Sequence, residues 1–309
     1  MSPLLSNEPC SAQPSTLSAG TSREKISLYW ELTKPRLSFL SIITAIVGYL
    51  VANPVRDSQV LVALILGTAL SAGSAGVLNQ WLEREVDVRM ARTRNRPLPS
   101  SRVSPLGALL WGLSLGAAGT AVLLLGTNLL ATCLSLTTIL SYILVYTPLK
   151  QVTPWCTHIG AIPGALPPLI GWAAAEGSIG ALGWILFAML FAWQIPHFMA
   201  IAWTYRKDYA DANMPMLSVV NPGGERVIRH CNVFTWLLLF SSLLPTLLGY
   251  CTWAYGLCAL LSGAYFVARA RGFSRGEDRT RTARKLFFAS IFYLPFILAA
   301  LVLDRWLLI

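Results

Sequence analysis

The amino-acid sequence predicts an all-α polytopic membrane protein, and three observations support this fold class. Hydrophobic residues make up 55% of the 309-residue chain and charged residues only 12%, whereas soluble domains carry about 25% charged residues. The mean hydropathy is +0.57. The apolar residues also form long blocks, close to the ~20 residues that a membrane-spanning helix needs. Together these features exclude a disordered chain, a coiled coil and an ordinary soluble domain.

Nine apolar segments can be drawn as transmembrane helices. In chain order they cover residues 37–53, 59–80, 106–126, 128–147, 157–175, 180–203, 232–250, 252–268 and 286–303. The N-terminal segment has neither the basic and apolar regions of a signal peptide nor the arginine-rich pattern of a mitochondrial presequence. We therefore predict a flexible tail at 1–22 and a single transmembrane domain at 23–309, in a bacterial plasma (inner) membrane.

The positions of the basic residues predict the orientation of these helices. With the N-terminus inside, only Arg56 and Arg305 of the 24 Lys and Arg residues fall outside, which agrees with the positive-inside rule. The net charge of +10 then reflects membrane orientation rather than nucleic-acid binding. Two long inner loops, 79–105 and 204–231, carry both signs of charge and follow the second and sixth helices. They suggest two four-helix-like halves, with the chemistry at the cytoplasmic side.

The first charged loop contains a stripe of oxygen-bearing side chains. Asn79, Glu83 and Asp87 are four residues apart, so on a helix that continues beyond the membrane they share one face. Oxygen ligands of this kind suit Mg²⁺, and the nearby Arg92 and Arg96 suit phosphate oxygens. The pattern favours a site for a metal diphosphate. The sequence alone leaves open an alternative, in which these are solvated charges paired with adjacent arginines.

The second charged loop contains a smaller acidic group. Asp208 and Asp211 are three residues apart and are flanked by Arg206 and Lys207. An acidic group at the matching place of the other half makes a shared function more plausible than two unrelated surface patches. If both loops face one cavity, two metal ions can hold a diphosphate from opposite sides and offset the charge of the leaving group.

Several short motifs resemble those of the intramembrane prenyltransferases. The stretch from Asn79 to Leu98 includes Met90, Arg92-Thr93 and Arg96-Pro97-Leu98. Further matches, spread over residues 30–305, are Lys34-Pro35-Arg36, Tyr146-Thr147, Leu149-Lys150, Pro167-Pro168-Leu169-Ile170-Gly171-Trp172, Pro196-His197-Phe198, Asp208-Tyr209 and Pro215-Met216-Leu217. Within this superfamily the pattern is most similar to the protohaem IX farnesyltransferase (haem O synthase) family.

The resemblance implies a nine-helix enzyme around a central cavity that opens to the cytoplasmic side. Such an enzyme transfers a farnesyl group from farnesyl diphosphate to a vinyl group of haem B, with addition of water, to make haem O. Mg²⁺ is implied as the cofactor that assists ionisation of the allylic diphosphate. The implied partners are haem B, farnesyl diphosphate, membrane lipids and the haem-modifying enzymes or terminal oxidase that receive the product, with no nucleic acid.

The resemblance also implies roles for individual residues. The catalytic metal ligands would be Asn79, Glu83 and Asp87 in a first motif, with Asp208 as the core of a second motif and Asp211 as a weaker ligand. The diphosphate would be bound by Arg92, Arg96, Tyr146, Lys150 and Lys207. Two positions depart from the family pattern. Glu83 stands where members usually have Asp, and Lys207 stands where many have a second acid, which weakens the second metal site.

His197 is the implied haem-binding residue. It follows Pro196 late in the sixth predicted helix, where an imidazole without a partner is costly. Contact with haem is one interpretation, and a hydrogen bond to a backbone carbonyl freed by the proline is the alternative. His158 is a weaker candidate, and His230 is expected to be solvated.

Two other functions stay open at this stage. One is a prenyltransferase that acts on an aromatic acceptor such as hydroxybenzoate. The other is a secondary transporter, which the sequence disfavours because transporters place ionisable groups near the bilayer midplane, whereas these carboxylates lie at the predicted ends of helices.

Overall fold

The structure, a computed structural model, describes residues 21–52, 57–276 and 278–307. Within these ranges the chain is helical and contains no β-strand. Its helices are α1 (Ser22–Leu32), α2 (Pro35–Ala52), α3 (Ser58–Asp87), α4 (Pro105–Gly126), α5 (Leu129–Leu140), α6 (Thr147–Leu149), α7 (Cys156–Ala165), α8 (Pro167–Glu176), α9 (Ala181–Thr204), α10 (Arg206–Asp211), α11 (Leu217–Val220), α12 (Glu225–Leu247), α13 (Trp253–Arg275) and α14 (Arg279–Leu307). A π-helical turn, Ser141–Tyr146, joins α5 to α6.

Each predicted span overlaps a helical segment of the described residues, but not all of these segments have the length and composition of a transmembrane helix. In the described part of the chain, seven do: α2, α3, α4, the continuous segment Leu129–Leu149, α9, α12 and α14. They make the chain a multi-pass membrane protein. The predicted spans 157–175 and 252–268 correspond to α7 with α8 and to α13. The count of nine and the orientation therefore stay predictions.

The predicted N-terminal tail, 1–22, lies almost wholly outside the described residues. Helix α1 begins at Ser22, because Thr21 and Glu24 form a capping box: the Thr21 side chain accepts a hydrogen bond from the Glu24 amide, and Glu24 accepts one from the Thr21 amide. Reciprocal bonds of this kind satisfy amides that have no partner at a helix start.

Small residues allow α3 and α4 to pack in close contact. The Ser74 hydroxyl donates to the carbonyl oxygen of Gly112 at 2.7 Å, and a β carbon at Gly119 would lie 2.7 Å from the Ser71 hydroxyl. Contacts through small residues are typical of helix association in membranes. This packing joins the middle of α3 to α4.

Helices α2 and α8 approach each other through glycine. A β carbon at Gly48 would lie 2.0 Å from the carbonyl oxygen of Pro168, and one at Gly171 would lie 1.8 Å from that of Ala45. The glycine- and proline-rich segment 160–171 is therefore used for close packing here, and it breaks between α7 and α8 at Leu166.

The two charged loops pack against each other at one side of the bundle. Met90 of the α3–α4 loop lies in a buried cluster with Cys156, Tyr209, Met214 and Met216. The contact brings together chain segments that are far apart in sequence, as expected if both loops serve one site.

The second charged loop is shorter than the predicted range 204–231. Helix α9 extends to Thr204, and α12 already begins at Glu225, after Gly224. Gly224 has φ of +80°, a conformation that glycine adopts without steric cost. Residues 225–231 therefore belong to the first turns of α12 and not to a loop.

Candidate active site

The C-terminal end of α3 carries the predicted stripe. Asn79, Glu83 and Asp87 lie on the helix, which continues to Asp87 as the spacing predicts. Each of the three is at most 3% exposed. Buried carboxylates are costly unless they are paired, so the partners of these side chains define the chemistry of the site.

Each side chain of the stripe forms a hydrogen bond or an ion pair with a basic side chain from another segment of the chain. The Lys34 ammonium donates to Asn79 Oδ1 at 2.6 Å. Lys150 Nζ lies 2.6 Å from Glu83 Oε1, and Arg96 Nη1 lies 2.7 Å from Asp87 Oδ2. The three buried side chains of the stripe thus face three half-buried basic side chains.

The alternative of pairing between adjacent charges does not describe the stripe. Arg84 pairs with the exposed Glu85 at 3.2 Å, while Glu83 turns inward to Lys150. Asp87 pairs with Arg96 rather than with Arg89. The buried acids are therefore held by cations from other parts of the chain.

Burial and the neighbouring charges shift the pKa values of Lys34 and Lys150 in opposite directions. Burial, together with the neighbouring Arg96 and Lys150, lowers the pKa of Lys34 to about 7. Burial opposes the charge of Lys150 too, but the Glu83 carboxylate keeps the pKa of Lys150 well above its usual range. Three cations facing two carboxylates leave a positive surplus when Lys34 is protonated, and such a surplus favours an anionic ligand.

The oxygen atoms of the stripe fit a hard divalent cation. Asp87 Oδ1 is buried and has no hydrogen-bond partner, which leaves one carboxylate oxygen free to act as a ligand. In the described part of the chain, no group of three or more His, Cys, Asp and Glu side chains forms a metal site by itself. A Mg²⁺ ion at the stripe would therefore need further ligands from water and substrate phosphates, which Mg²⁺ usually has beside one or two carboxylates.

Tyr146 and Lys150 lie beside the stripe, and their contact with a diphosphate stays a prediction. The ammonium of Lys150 lies 5.2 Å from the centre of the Tyr146 ring, and Thr147 Oγ1 accepts a hydrogen bond from Asn79 Nδ2 at 3.2 Å. Tyr146 ends the π-helical turn, an irregularity that occurs frequently at functional sites. A β carbon at Gly160 would lie 2.4 Å from this ring, so glycine is required there.

Arg92 connects the two charged loops. Its guanidinium lies 5.3 Å from the ring centre of Tyr205 and 5.7 Å from that of Tyr209, and Nη2 donates to the Tyr209 hydroxyl at 3.4 Å. These contacts place α10 next to the α3–α4 loop.

The acids of the second loop are less enclosed than those of the first. Asp208 is half-buried, and Lys207 and Asp211 are exposed. Among the described residues, no hydrogen bond or ion pair joins these three side chains to the stripe on α3. A second metal site therefore stays a prediction.

His197 has a partner other than the backbone carbonyl considered above. Its Nδ1 lies 2.7 Å from the hydroxyl oxygen of Ser290 on α14. The ring stacks on Trp193 at 4.7 Å and contacts Phe287 at 5.0 Å. The hydroxyl and the two rings account for the imidazole without a ligand, and its contact with haem stays a prediction.

Sequence reasoning did not assign two features of this region. Lys34 belongs to the Lys34-Pro35-Arg36 motif, and the motif does not predict its hydrogen bond to Asn79 of the stripe. His230 is half-buried rather than solvated, and its Nδ1 lies 3.0 Å from His158 Nε2. No local signal links these histidines, because 72 positions separate them.

The family of the chain follows from its match to known proteins. Residues 41–292 match the UbiA prenyltransferase family. The chain belongs to this family. The resemblance seen in the sequence motifs is thereby confirmed for the UbiA prenyltransferases.

Curated relatives match this UbiA chain over nearly its whole length. A protein of Opitutus terrae named "Protoheme IX farnesyltransferase" is 50% identical over 288 residues, covering 93% of this chain and 98% of its own length. A protein of Solibacter usitatus with the same name is 42% identical over 288 residues, covering 90% of this chain and 98% of its own length.

Solved structures show the same fold as this UbiA chain at low sequence identity. A structure from a study of digeranylgeranylglyceryl phosphate synthase in membranes has a TM-score of 0.78 at 18% identity, covering 92% of this chain and 99% of that one. A UbiA homolog from Archaeoglobus fulgidus, bound to GPP and Mg²⁺, has a TM-score of 0.66 at 14% identity, covering 89% and 99% of the two chains.

Proposed function

We propose that this UbiA-family chain is a protohaem IX farnesyltransferase. It transfers the farnesyl group of farnesyl diphosphate to a vinyl group of haem B, and water adds to give the side chain of haem O. The identity of 50% to a relative of that name, over nearly the full length of both chains, supports the acceptor and the prenyl donor. The buried stripe on α3 supports the diphosphate chemistry.

The diphosphate binds at the stripe. Asn79, Glu83 and Asp87 would hold Mg²⁺, and the unpaired Oδ1 of Asp87 is available for this role. When bound, the metal supplies positive charge to the leaving diphosphate. Lys150 and Arg96, which neutralise the acids in the structure, donate to phosphate oxygens instead. Exchanging one anionic partner for another keeps these cations compensated.

Lys34 belongs with these diphosphate-binding residues. Its ammonium donates a hydrogen bond to Asn79. Lys34 lies just after α1, and its φ of +50° turns the chain sharply into α2. A cation held by such a turn is positioned before the substrate arrives. Positioned charge of this kind stabilises a developing anion more effectively than mobile charge does.

The second loop closes the opposite side of the diphosphate. In this proposal Asp208 is the main ligand of a second metal ion and Asp211 a weaker one. Lys207, Arg92 and Tyr146 contact the diphosphate. The stacking of Arg92 on two tyrosines of the α10 region supports the arrangement, because it ties that region to the loop after α3.

We further propose nine transmembrane helices in one domain, with the N-terminus inside and the site facing the cytoplasm of a bacterial inner membrane. The stripe, Lys34 and the second loop all lie at one end of the bundle, which supports one-sided access. His197 is proposed to contact haem, and the product passes to haem-modifying enzymes or a terminal oxidase. The end position of the buried acids also disfavours a transporter, whose ion sites lie near the midplane.

A choice of acceptors tests the proposed function. Membranes that contain the protein are given farnesyl diphosphate and Mg²⁺ with either haem B or hydroxybenzoate, and membranes without the protein serve as the control. We expect a farnesylated haem product by mass spectrometry and no prenylated hydroxybenzoate. Prenylated hydroxybenzoate with unchanged haem B would instead establish the aromatic-acceptor enzyme.

A further inference from the structure

A groove outside the stripe lies between the start of α7, α11 and the start of α12. Its volume is about 510 Å³, within the ~300–1,000 Å³ typical of small-molecule sites. Its lining includes Trp155, Leu217, Arg226, Arg229, His230 and Phe234. The combination of broad apolar surface and cations suits a ligand with a flat apolar body and acidic groups.

The histidine in this groove is held in one orientation. His230 Nδ1 is paired with His158 Nε2 at 3.0 Å, and the His230 ring also contacts Trp155 at 5.3 Å and stacks with Phe234 at 6.4 Å. Within the described part of the chain, no hydrogen bond is formed by His230 Nε2. A histidine whose one nitrogen is fixed by a hydrogen bond presents the other nitrogen to a metal.

The two arginines of the groove have no acidic partner. Arg226 and Arg229 are three residues apart on α12 and are exposed, and the ion pairs found among the described residues do not include either of them. Residues three apart on a helix are neighbours on its surface, so both guanidinium groups face the same region. Guanidinium groups bind carboxylates with two parallel hydrogen bonds.

The groove adjoins the proposed active site. Trp155 and Leu217 line the groove. Their chain neighbours Cys156 and Met216 contact each other, with their sulfur atoms 3.4 Å apart. Cys156 and Met216 belong to the buried cluster against which Tyr146 packs. The groove and Tyr146 therefore lie against the same cluster, which places the groove at the boundary of the proposed active site.

We propose that this groove binds the haem substrate. The porphyrin lies against Trp155 and Phe234, its propionates bind Arg226 and Arg229, and Nε2 of His230 is the axial ligand of the iron. In this arrangement His230 takes the place of His197 as the haem-binding histidine, because His197 does not line the groove. His158 is a positioning residue that acts through its hydrogen bond to His230. This inference rests on the proposed function, because haem as the acceptor is part of that proposal.

Haem titration of the purified full-length protein in detergent tests the groove. We expect a Soret shift with wild type. His230→Phe should abolish this shift and lower the affinity for haem by about tenfold or more. The double variant Arg226→Gln/Arg229→Gln should lose about tenfold in affinity or more but keep the Soret position, because the iron ligand is retained. His158→Phe should weaken the shift without abolishing binding. Size-exclusion profiles check that each variant is folded.

The matched control is Arg271→Gln/Arg275→Gln on α13, which removes two cations from a different groove and should bind haem as wild type does. Wild-type haem binding by the Arg226→Gln/Arg229→Gln and His230→Phe variants would overturn the inference. Loss of the Soret shift in His197→Phe, with His230→Phe unchanged, would also overturn it and assign the iron ligand to His197.

The proposed function can fail independently of the groove. Haem O formation by wild type, together with unaltered haem binding by the groove variants, would leave the function standing and overturn the groove. Haem binding that depends on His230 and the two arginines, without any haem O formation by wild type, would support the groove as a haem site and overturn the farnesyl transfer.

Discussion

Replacing Glu83 by glutamine is expected to lower the kcat of farnesyl transfer by about a hundredfold or more, the scale seen when one preorganised charge-stabilising group is removed. Glu83 is 3% exposed and is bonded to Lys150 at 2.6 Å. The change removes a proposed metal ligand and leaves the Lys150 ammonium without its anion. The measurement is initial-rate kinetics with haem B, farnesyl diphosphate and Mg²⁺.

Glu85→Gln is the matched control for this variant. Glu85 lies on the same helix two residues later, but its side chain is 82% exposed and pairs with the neighbouring Arg84. We expect its kcat to stay within about twofold of wild type, because exposed pairs contribute little. Equal kcat values for Glu83→Gln and Glu85→Gln, with both proteins folded, would remove Glu83 from the catalytic site.

Replacing Gly171 by alanine is expected to destabilise the fold by about 3 kcal/mol or more, at the upper end of overpacking effects. The new β carbon would lie 1.8 Å from the carbonyl oxygen of Ala45 and 2.8 Å from the amide nitrogen of Tyr49. Both are backbone atoms, which cannot rotate away as the end of a side chain can. Helices α2 and α8 would have to separate. Thermal unfolding in detergent, followed by tryptophan fluorescence, measures the effect as a lower Tm.

Gly272→Ala provides the comparison. Gly272 lies within α13, and no atom outside its own helical turn would come within 4 Å of the new β carbon. Alanine is favoured over glycine in a helix interior by about 1 kcal/mol, so the Tm should be unchanged or slightly higher. A similar Tm for both variants would contradict the close α2–α8 contact.

The stripe was predictable because it is a local pattern. Asn79, Glu83 and Asp87 share a face once the helix continues to Asp87, and the four-residue spacing contains that information. Their partners were not predictable in the same way. Lys34 reaches Asn79 across 45 positions, through a turn of positive φ that a Lys-Pro pair does not specify by itself.

The histidine pair shows the same limit more clearly. His158 and His230 each look like an isolated polar residue near the end of an apolar segment. Their contact depends on how α7 and α12 pack, and hydropathy does not encode that packing. The sequence also did not predict where α12 starts, since the expected loop extends to residue 231. The loop ends at Gly224 because of the backbone conformation of this residue, which polarity does not reveal.

The measurement that tests the central claim most directly is the conversion of haem B by membranes containing the protein, with farnesyl diphosphate and Mg²⁺, followed by mass spectrometry. Wild type and Asp87→Ala are compared, each with Mg²⁺, after removal of divalent metal with EDTA, and after Mg²⁺ is restored. We predict haem O from wild type only when Mg²⁺ is present, and none from Asp87→Ala, which lacks the buried carboxylate with the free Oδ1. Equal amounts of haem O from both proteins, or none from folded wild type, would contradict a metal-diphosphate site at the end of α3 that serves haem farnesylation.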